Sequence, residues 1–377
     1  MNKKILRKRV LQVFSSLDKG GAETRMMQIY RKINREEWQF DFAVTTPGEH
    51  FYSDEVRSLG GNIFYLRSWR EVGIRNYMGQ WDQIFAQHAY EAVHAHTTED
   101  CGIALYFAKR AGIQRRIAHA RNAQVALAPN WRQRSKKRIM KALTRHMANK
   151  WVACSKEAAE YLYGRKAIQQ GRVIFLPNAI DLEPFQQLSC MDKEAYREKL
   201  GLGNTNIIVG TVGNARPVKN HPFLIRAFAE FLKLQPHAML LMIGRNDQDQ
   251  EAKQLVQKLH IEQKVLFLGQ REDVPQLLNC LDLFVLPSFH EGAPGSVIEA
   301  QAANLPCILS DSLTREVDLG NGLVKYLSLD MQLGQWAKEM EKSCKMKRPE
   351  IETTWNLLRA KHYDVESSVH AMIGLYR

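Results

Sequence analysis

Two glutamates in one short segment have the spacing that points most directly to chemistry. Glu291 and Glu299 lie eight positions apart in PSFHEGAPGSVIEAQAAN, residues 287–304, at the end of the apolar run LDLFVLPS. The composition of SVIEAQAAN predicts a helix that begins at about Ser296, so backbone N–H groups and a positive dipole end lie beside Gly295. A phosphate would bind well there.

Each glutamate also has a structural explanation. Ser296 and Glu299 fit the capping box, in which the two side chains bond the first amides of a helix, and this alternative to ligand binding stays open. Glu291 lies in a loop whose glycines permit close backbone approach, although most loop acids are simply solvated. The pattern makes both residues candidates for a ligand site without excluding a structural role.

Cations and glycines follow two other predicted strands. IVGTVGNARPVKN, residues 208–220, has Arg216 and Lys219 after a strand, where they would suit a diphosphate or would be two solvated surface cations. SSLDKGGAETRMM has Gly20 and Gly21 between the first strand and the first helix, where they would permit tight packing or close approach of a ligand. Neither GxGxxG nor GxxxxGK[ST] is present, which excludes the usual dinucleotide and P-loop fingerprints.

Three histidines lie at or after strands, His94 and His96 in AVHAHT and His119 in RIAHARN. The HxH pair could bind a metal, but spacing identifies no third ligand, and histidines at strand ends are more often structural. We therefore expect no metal site.

The segment WRQRSKKRIMKALTRHMANKW, residues 131–151, has eight Lys and Arg and no acid, with tryptophan at both ends. Ile139, Leu143 and Met147 stand at helical spacing. A basic amphipathic helix of this kind favours a peripheral contact with an anionic membrane. The alternative is an ordinary surface helix packed on its sheet.

Short apolar runs alternate with helical stretches along the whole chain, which predicts an α/β fold with parallel sheets. The chain has 377 residues, which is more than one hydrophobic core usually serves. We therefore expect two doubly wound, Rossmann-like domains facing across a cleft. A turn-rich segment, PNAIDLEPFQQLSCMD, predicts the boundary: an N-terminal domain over 1–185 and a C-terminal domain over 186–361.

Composition limits the setting and the partners. The net charge of +13 lies in the first half, since residues 1–185 have a charge of +14 and residues 186–377 a charge of −1. Such a field attracts phosphorylated substrates, anionic lipids or nucleic acid. Six scattered cysteines without a CxxC pair indicate a reducing, cytosolic setting. The N-terminal apolar run is too short for a signal peptide, and no apolar run is long enough to span a membrane.

Taken together, several segments resemble the retaining nucleotide-sugar glycosyltransferases of family 4, which have the GT-B fold, and particularly the bacterial exopolysaccharide and capsule enzymes. Nearly the whole chain takes part, and the E-x7-E pattern of the last segment is the family's most specific signature. The segments are DKGGAE (18–23), RIAHARN (116–122), VACSKEAAEYL (152–162), PNAID (177–181), GNARPVKN (213–220), FLGQREDV (267–274) and HEGAPGSVIEAQAANLPCILSD (290–311).

The resemblance implies a role for each candidate. Glu299 would contact the donor ribose and Glu291 the donor sugar. Lys219 matches the family's diphosphate lysine, and His119 matches its histidine near the transferred sugar. Gly20 and Gly21 match the front loop that approaches donor and acceptor. The amides near the diphosphate would be those of Gly295, Ser296 and Val297.

One position departs from the family pattern. The family usually has Arg directly after the glycine at 213, whereas this chain has Asn214, so Arg216 would have to substitute. The ending LRAKHYDVESSVHAMIGLYR resembles the C-terminal helix with which such enzymes complete their first domain, here over residues 362–377.

The implied activity is that of a retaining hexosyl- or N-acetylhexosaminyltransferase in bacterial surface polysaccharide synthesis. A nucleotide-sugar, with UDP ahead of GDP, would be the donor, and a lipid-diphosphate-linked or saccharide compound the acceptor. No cofactor or metal is expected, and the protein would be cytoplasmic and peripheral on the inner face of the cell membrane.

Three alternatives stay open. A sugar-nucleotide epimerase or phosphorylase could share the scaffold, although soluble substrates need no basic helix. A nucleic-acid-binding protein would use the basic half, but no interleaved aromatic positions or binding motif support it. A non-catalytic partner in a polymer-assembly complex is conceivable because of Asn214.

Overall fold

The computed structural model describes residues 7–121, 130–188, 193–202, 207–245 and 249–377. These described residues form two compact units, one of those up to 179 together with 365–377, and the other of those from 180 to 364.

The first unit contains one parallel sheet of seven strands in its described part. Their order across the sheet is β3-β2-β1-β4-β5-β6-β7. The strands are β1 (Lys8–Phe14), β2 (Trp38–Val44), β3 (Ile63–Tyr65), β4 (Tyr90–Ala95), β5 (Arg115–Ala120), β6 (Lys150–Ala153) and β7 (Val173–Phe175). All residues of β2 are buried, as expected for a parallel strand covered by helices on both faces.

The helices of this unit connect successive strands and cover the sheet. They are α1 (Gly21–Lys32), α2 (Ser53–Ser58), α3 (Trp69–Val72), α4 (Ile74–Gln87), α5 (Cys101–Arg110), α6 (Trp131–Met147), α7 (Lys156–Tyr163) and α8 (Arg165–Gln169). The last helix of the chain also belongs here, because the ring of Tyr376 packs against Trp38 and Phe40 in the core.

The second unit contains a parallel sheet of six strands in the described residues, in the order β10-β9-β8-β11-β12-β13. The strands are β8 (Ile208–Val212), β9 (Met239–Ile243), β10 (Val265–Gly269), β11 (Leu283–Leu286), β12 (Cys307–Ser310) and β13 (Val324–Leu327). Apolar side chains on both faces of this sheet are buried in two clusters, one around Phe284 and Leu286 and one around Phe228 and Trp336.

The remaining helices are α9 (Glu183–Gln187), α10 (Lys193–Lys199), α11 (His221–Leu234), α12 (Gln250–Lys258), α13 (Val274–Cys280), α14 (Gly295–Ala302), α15 (Leu333–Cys344), α16 (Ile351–Ala360) and α17 (Val365–Tyr376). Within the described ranges, none of the helices combines the length and the apolar character needed to cross a membrane.

The predicted fold class is confirmed, since each unit is a doubly wound, Rossmann-like α/β domain. In both sheets the strand order reverses next to the first strand of the unit, between β1 and β4 and between β8 and β11. Ligands of such sheets bind at this switch point, beyond the carboxyl ends of the strands. The loops that follow these four strands hold most of the candidate residues.

Candidate active site

The loops after β8 and β11 meet at the switch point of the second sheet. The Phe289 N–H donates to the Val218 carbonyl at 2.8 Å, and the Asn220 side chain donates to the Pro287 carbonyl at 3.2 Å. Asn220 adopts a left-handed conformation with φ of 54°, which asparagine tolerates better than most residues. These bonds hold the two loops in a fixed arrangement.

Lys219 and Glu291 form an ion pair across these loops, with 2.7 Å between Nζ and Oε1. Ser288 Oγ donates to the same carboxylate oxygen at 2.8 Å. A Cβ atom on Gly213 would lie 2.9 Å from Cε of Lys219 and 3.0 Å from its Nζ, so a side chain at 213 would displace the lysine from this position. The Glu291 carboxylate, itself held by Ser288, therefore positions the ammonium group, as a fixed charge for an anionic ligand requires.

Helix α14 begins earlier than the sequence suggested, and the capping-box interpretation is wrong. The N-cap residue is Pro294, with no capping hydrogen bond from a side chain, and Ser296 is already the second helical residue. Because Glu299 then follows the N-cap by five positions, it cannot be the N3 partner of a capping box. One explanation of Glu299 that competed with ligand binding is thereby removed.

The start of α14 presents two backbone donors. The Val297 N–H donates to the Pro294 carbonyl at 3.1 Å. The N–H groups of Gly295 and Ser296 have no acceptor among the described residues. Of the three amides predicted to lie near a diphosphate, these two remain available, at the positive end of the helix dipole.

The loop after β8 makes a second set of contacts with the end of β9. The Arg245 N–H donates to Asn214 Oδ1 at 3.0 Å, and the Ala215 N–H donates to the Arg245 carbonyl at 2.9 Å. A Cβ on Gly244 would lie only 2.3 Å from the Gly213 carbonyl oxygen, so this contact requires a glycine. The unusual Asn214 thus has a structural role in joining the two strand ends.

Two arginines carry exposed side chains on these loops. Arg216 precedes the helical turn that contains Lys219. Arg245 was missed in the sequence, although its position directly after the strand of HAMLLMIG could have identified it. Either guanidinium could supply the charge that Asn214 lacks.

In the first unit, Gly20 and Gly21 form the start of α1, as N-cap and first helical residue. A Cβ on Gly20 would lie 2.3 Å from Oε2 of Glu23, whereas Gly21 has open space within 4 Å. Burial lowers the pKa of Arg121 below its usual value, and the nearby Cys154 and Glu23 side chains oppose that shift. The start of α1 therefore acts electrostatically on Arg121, which directly follows β5.

His119 is completely buried near the end of β5, and its Nδ1 lies 3.1 Å from Nε2 of His94. The two rings are stacked, with 5.2 Å between their centroids. Burial, and less strongly the Arg121 charge, lowers the pKa of His119 well below its usual value. The imidazole is therefore neutral at physiological pH.

His94, His96 and His119 form a compact cluster in which one ring nitrogen of each lies within 4.8 Å of the others. Spacing in the sequence gave no third ligand, but the adjacency of β4 and β5 brings His119 to the HxH pair. Five of the six ring nitrogens make hydrogen bonds to other side chains. Because Arg121 also contacts His96, a cation would meet a positive charge and occupied nitrogens, and absence of metal stays our prediction.

The basic helix α6 has one packed side and one exposed side. Thr144 is buried on α5, where its hydroxyl accepts from the Gly102 N–H at 2.8 Å. Lys137 is 3.8 Å from Glu99 Oε1, and Lys141 donates to the Tyr161 carbonyl at 2.7 Å. Trp131 and Ile139 are 71% and 66% exposed. The helix therefore packs on its own unit and still presents apolar and basic side chains to solvent.

Comparison with known proteins adds to this geometry. Residues 19–184 match the family described as Glycosyltransferase Family 4, and residues 192–344 match Glycosyl transferases group 1. A protein of Bacillus subtilis (strain 168), named as the glycosyltransferase EpsF, is 33% identical over 370 residues, which cover 98% of this chain and 96% of that protein. This chain belongs to glycosyltransferase family 4.

Two further proteins are similar to this family 4 glycosyltransferase. The UDP-Gal:alpha-D-GlcNAc-diphosphoundecaprenol alpha-1,3-galactosyltransferase of Escherichia coli is 33% identical over 144 residues, 37% of each chain. The crystal structure of Anabaena Alr3699/HepE in complex with UDP has a TM-score of 0.74 and 18% identity, covering 98% of this chain and 99% of that one. The second likeness supports the GT-B fold of this glycosyltransferase.

The candidate residues of the glycosyltransferase thus fall into two groups. Lys219, Glu291, the start of α14 and Glu299 belong to the second unit, and Gly20, Gly21 and His119 belong to the first. The group in the second unit lies at the switch point of its sheet, and in the first unit Gly20 and Gly21 follow β1 at the switch point while His119 lies on β5, the next strand beyond β4.

Proposed function

We propose that this glycosyltransferase moves a hexosyl or N-acetylhexosaminyl group from a UDP-sugar to a lipid-diphosphate-linked or saccharide acceptor, with retention of configuration. Bacterial surface polysaccharide synthesis is the process in which it would act. The observation that carries the proposal is the Lys219–Glu291 pair together with the two available amides of α14, the helix into which the loop of Glu291 leads. One fixed cation and a helix N-terminus together suit a nucleoside diphosphate.

The chemistry follows from the charge on the leaving group. When the sugar departs, the second phosphate of the nucleoside diphosphate gains negative charge, which Lys219 and the amides of Gly295 and Ser296 would stabilise without a metal ion. Glu291 would bind sugar hydroxyls, and Glu299 the ribose. The acceptor hydroxyl would attack on the face from which the diphosphate leaves and transfer its proton to it, so no protein nucleophile is needed.

The relatives support the kinds of donor and acceptor. The similar protein from Escherichia coli is named for a UDP-sugar donor and a sugar-diphosphate-lipid acceptor, and the Anabaena protein was crystallised with UDP. The basic first half and the exposed Trp131 and Ile139 of α6 suit an acceptor that is anchored in an anionic membrane. We propose a cytoplasmic protein bound peripherally to the inner membrane face.

The experiment is a thermal-shift and turnover screen of the purified protein against UDP-, GDP-, ADP- and dTDP-sugars, each with and without EDTA. We expect stabilisation by UDP-sugars and slow release of UDP that EDTA does not abolish. Stabilisation by another nucleotide would correct the donor, and loss of release with EDTA would contradict a metal-free mechanism. Conversion of the donor to its epimer would favour the epimerase alternative. Absence of any binding would favour the non-catalytic alternative.

A further inference from the structure

The Nε2 atom of His119 is buried and has no hydrogen-bond partner among the described residues. Buried polar atoms are nearly always paired, so an exception calls for an explanation. Whether this nitrogen is a donor or an acceptor depends on which ring nitrogen carries the proton. The surrounding hydrogen bonds determine that choice.

Arg121 fixes the first proton position in this group of residues, because a guanidinium group can only donate. Its Nε lies 3.2 Å and its terminal nitrogen 3.0 Å from Nδ1 of His96, which must therefore accept. His96 is buried, and burial lowers its pKa well below the usual value, so its ring is neutral. The other nitrogen, Nε2, then carries the proton and donates to Oε1 of Gln12 at 2.9 Å.

Gln12 and Tyr376 connect His96 to His94 and fix which atom donates in each hydrogen bond between them. Since Oε1 of Gln12 accepts from His96, its amide nitrogen faces Tyr376 and donates to that hydroxyl at 2.9 Å. The hydroxyl hydrogen is then directed to Nδ1 of His94, at 2.8 Å. His94 is also neutral and buried, so its proton lies on Nε2 and is donated to Nδ1 of His119 at 3.1 Å.

We propose that this chain of hydrogen bonds holds His119 as a neutral imidazole with its proton on Nε2, ready to donate to a hydroxyl oxygen of a bound sugar. Gln12, His94, His96, Arg121 and Tyr376 are positioning residues that act through His119. The sugar as ligand rests on the proposed function, whereas the position of the proton does not. A neutral donor binds a hydroxyl oxygen without transferring a proton to it.

The test measures the proton position directly, by long-range ¹H–¹⁵N NMR of the ligand-free protein labelled in its histidine rings. The His119 signals are identified by their loss in His119→Gln. For the unaltered protein we expect the pattern of an Nε2–H tautomer. A pattern of Nδ1–H, or of a doubly protonated ring, at neutral pH would overturn the proposal.

Gln12→Glu should exchange the donor and acceptor roles in the hydrogen bonds from Tyr376 to His119 without changing the shape of the side chain at 12. An ionised carboxylate can only accept, so Tyr376 would donate to the introduced carboxylate and accept from Nδ1–H of His94. His94 Nε2 would then accept from Nδ1–H of His119, leaving Nε2 of His119 without a proton. We expect the tautomer of His119 to switch to Nδ1–H at neutral and higher pH. An Nε2–H pattern throughout that range would contradict the role of Gln12.

Tyr376→Phe keeps the ring in the core and is the second variant if Gln12→Glu does not fold. It removes the group that donates to His94, so we expect a mixture of both His119 tautomers. A pure Nε2–H pattern would show that Tyr376 does not determine the direction. Tyr326→Phe, which removes a hydroxyl bonded to the Thr314 carbonyl in the second unit, is the matched control and should leave the His119 signals unchanged.

The same variants separate this inference from the proposed function. If the protein transfers sugar, Gln12→Glu should lower kcat/KM by about tenfold or more, because the sugar loses a hydrogen-bond donor. A switched tautomer with unchanged kcat/KM would refute the contact with sugar. Tight, stoichiometric zinc in the unaltered protein, displacing these hydrogen bonds, would overturn the proposal as a whole.

Discussion

Lys219 and Glu291 form an ion pair of 2.7 Å between loops that follow two neighbouring strands, and only about one sixth of each side chain is exposed to solvent. In the ligand-free protein the carboxylate neutralises the Lys219 ammonium group. Burying that group without a counter-charge would cost free energy. A diphosphate would supply negative charge in place of the carboxylate. Glu291 would then be available to bind sugar hydroxyls. The carboxylate would thus pair with Lys219 in the ligand-free site and with the sugar in the donor-bound site.

Lys219→Met should lower kcat/KM for the nucleotide-sugar by about 100-fold or more, because a cation that stabilises the departing diphosphate is lost. Steady-state kinetics with the donor identified in the screen measure this. Lys233→Met is the matched control, since Lys233 lies on α11 of the same unit and pairs with Glu230 at 2.7 Å. Equal losses in the two variants would argue against a specific role of Lys219.

Glu299→Gln should raise the Kd for the nucleotide-sugar by about tenfold through loss of a charged acceptor for the ribose hydroxyls. The free energy of unfolding should not fall by the roughly 1 kcal/mol that loss of a helix cap costs, because α14 has no capping box at Glu299. Calorimetric titration and urea unfolding give the two numbers, with Glu352→Gln on α16 as control. A loss of about 1 kcal/mol with unchanged binding would restore a structural explanation.

Arg216→Gln should raise KM for the donor by about tenfold if Arg216 supplies the charge that Asn214 lacks. Asn214→Arg in the same background should restore most of the affinity, at a stability cost of about 1 kcal/mol for the lost bond to the Arg245 amide. Arg226→Gln, on the exposed side of α11, controls for net charge. If Arg216→Gln has no effect while Arg245→Gln has one, the second arginine is the substitute.

Neutralising the exposed bases of α6 should release the protein from anionic vesicles. Lys137 and Lys141 are left unchanged, because they contact Glu99 and Tyr161 and their substitution would destabilise the fold. Three substitutions to Gln should weaken vesicle binding about 100-fold, at about 1 kcal/mol for each charge: Arg132, Lys136 and Arg138.

The control for vesicle binding removes the same number of exposed lysines from the second unit. Lys342, Lys345 and Lys347 are suitable because all are exposed. Trp131→Ser with Ile139→Ser tests the apolar part of the contact at constant charge. Binding that responds equally to both sets of charge changes would indicate attraction by net charge alone.

Acid should destabilise the protein through the histidine cluster. The pKa values of His94, His96 and His119 are lowered well below 6.5 by burial. The unfolded chain therefore binds protons as the pH falls below about 6.5, while the folded chain does not, and stability decreases by about 1.4 kcal/mol per pH unit for each histidine.

Urea unfolding between pH 7.5 and pH 5 measures this dependence. His119→Gln should reduce the slope by up to one proton. Stability that is constant over this range would contradict neutral, buried rings.

Much of the fold could be predicted from the sequence, because the information is local. Alternation of buried apolar runs such as WQFDFAV with helical segments is sufficient to predict parallel sheets, since a parallel strand must be apolar on both faces. The E-x7-E segment likewise identified Glu291 and Glu299 and the family to which the chain belongs. The start of α14 was misjudged because a Ser-x-x-Glu pattern also occurs inside helices, and only the backbone at Pro294 distinguishes the two cases.

The amino-acid sequence by itself determined the element types, the fold class and the loops that carry chemistry, because propensity and periodicity act over a few residues. Only the tertiary structure decided which distant residues meet. Gln12 and Tyr376 are 364 positions apart and yet bond directly, and His119 reaches the HxH pair because β5 lies beside β4 in the sheet. Sheet order and the return of α17 to the first unit depend on the free energy of the whole core, which no short segment contains.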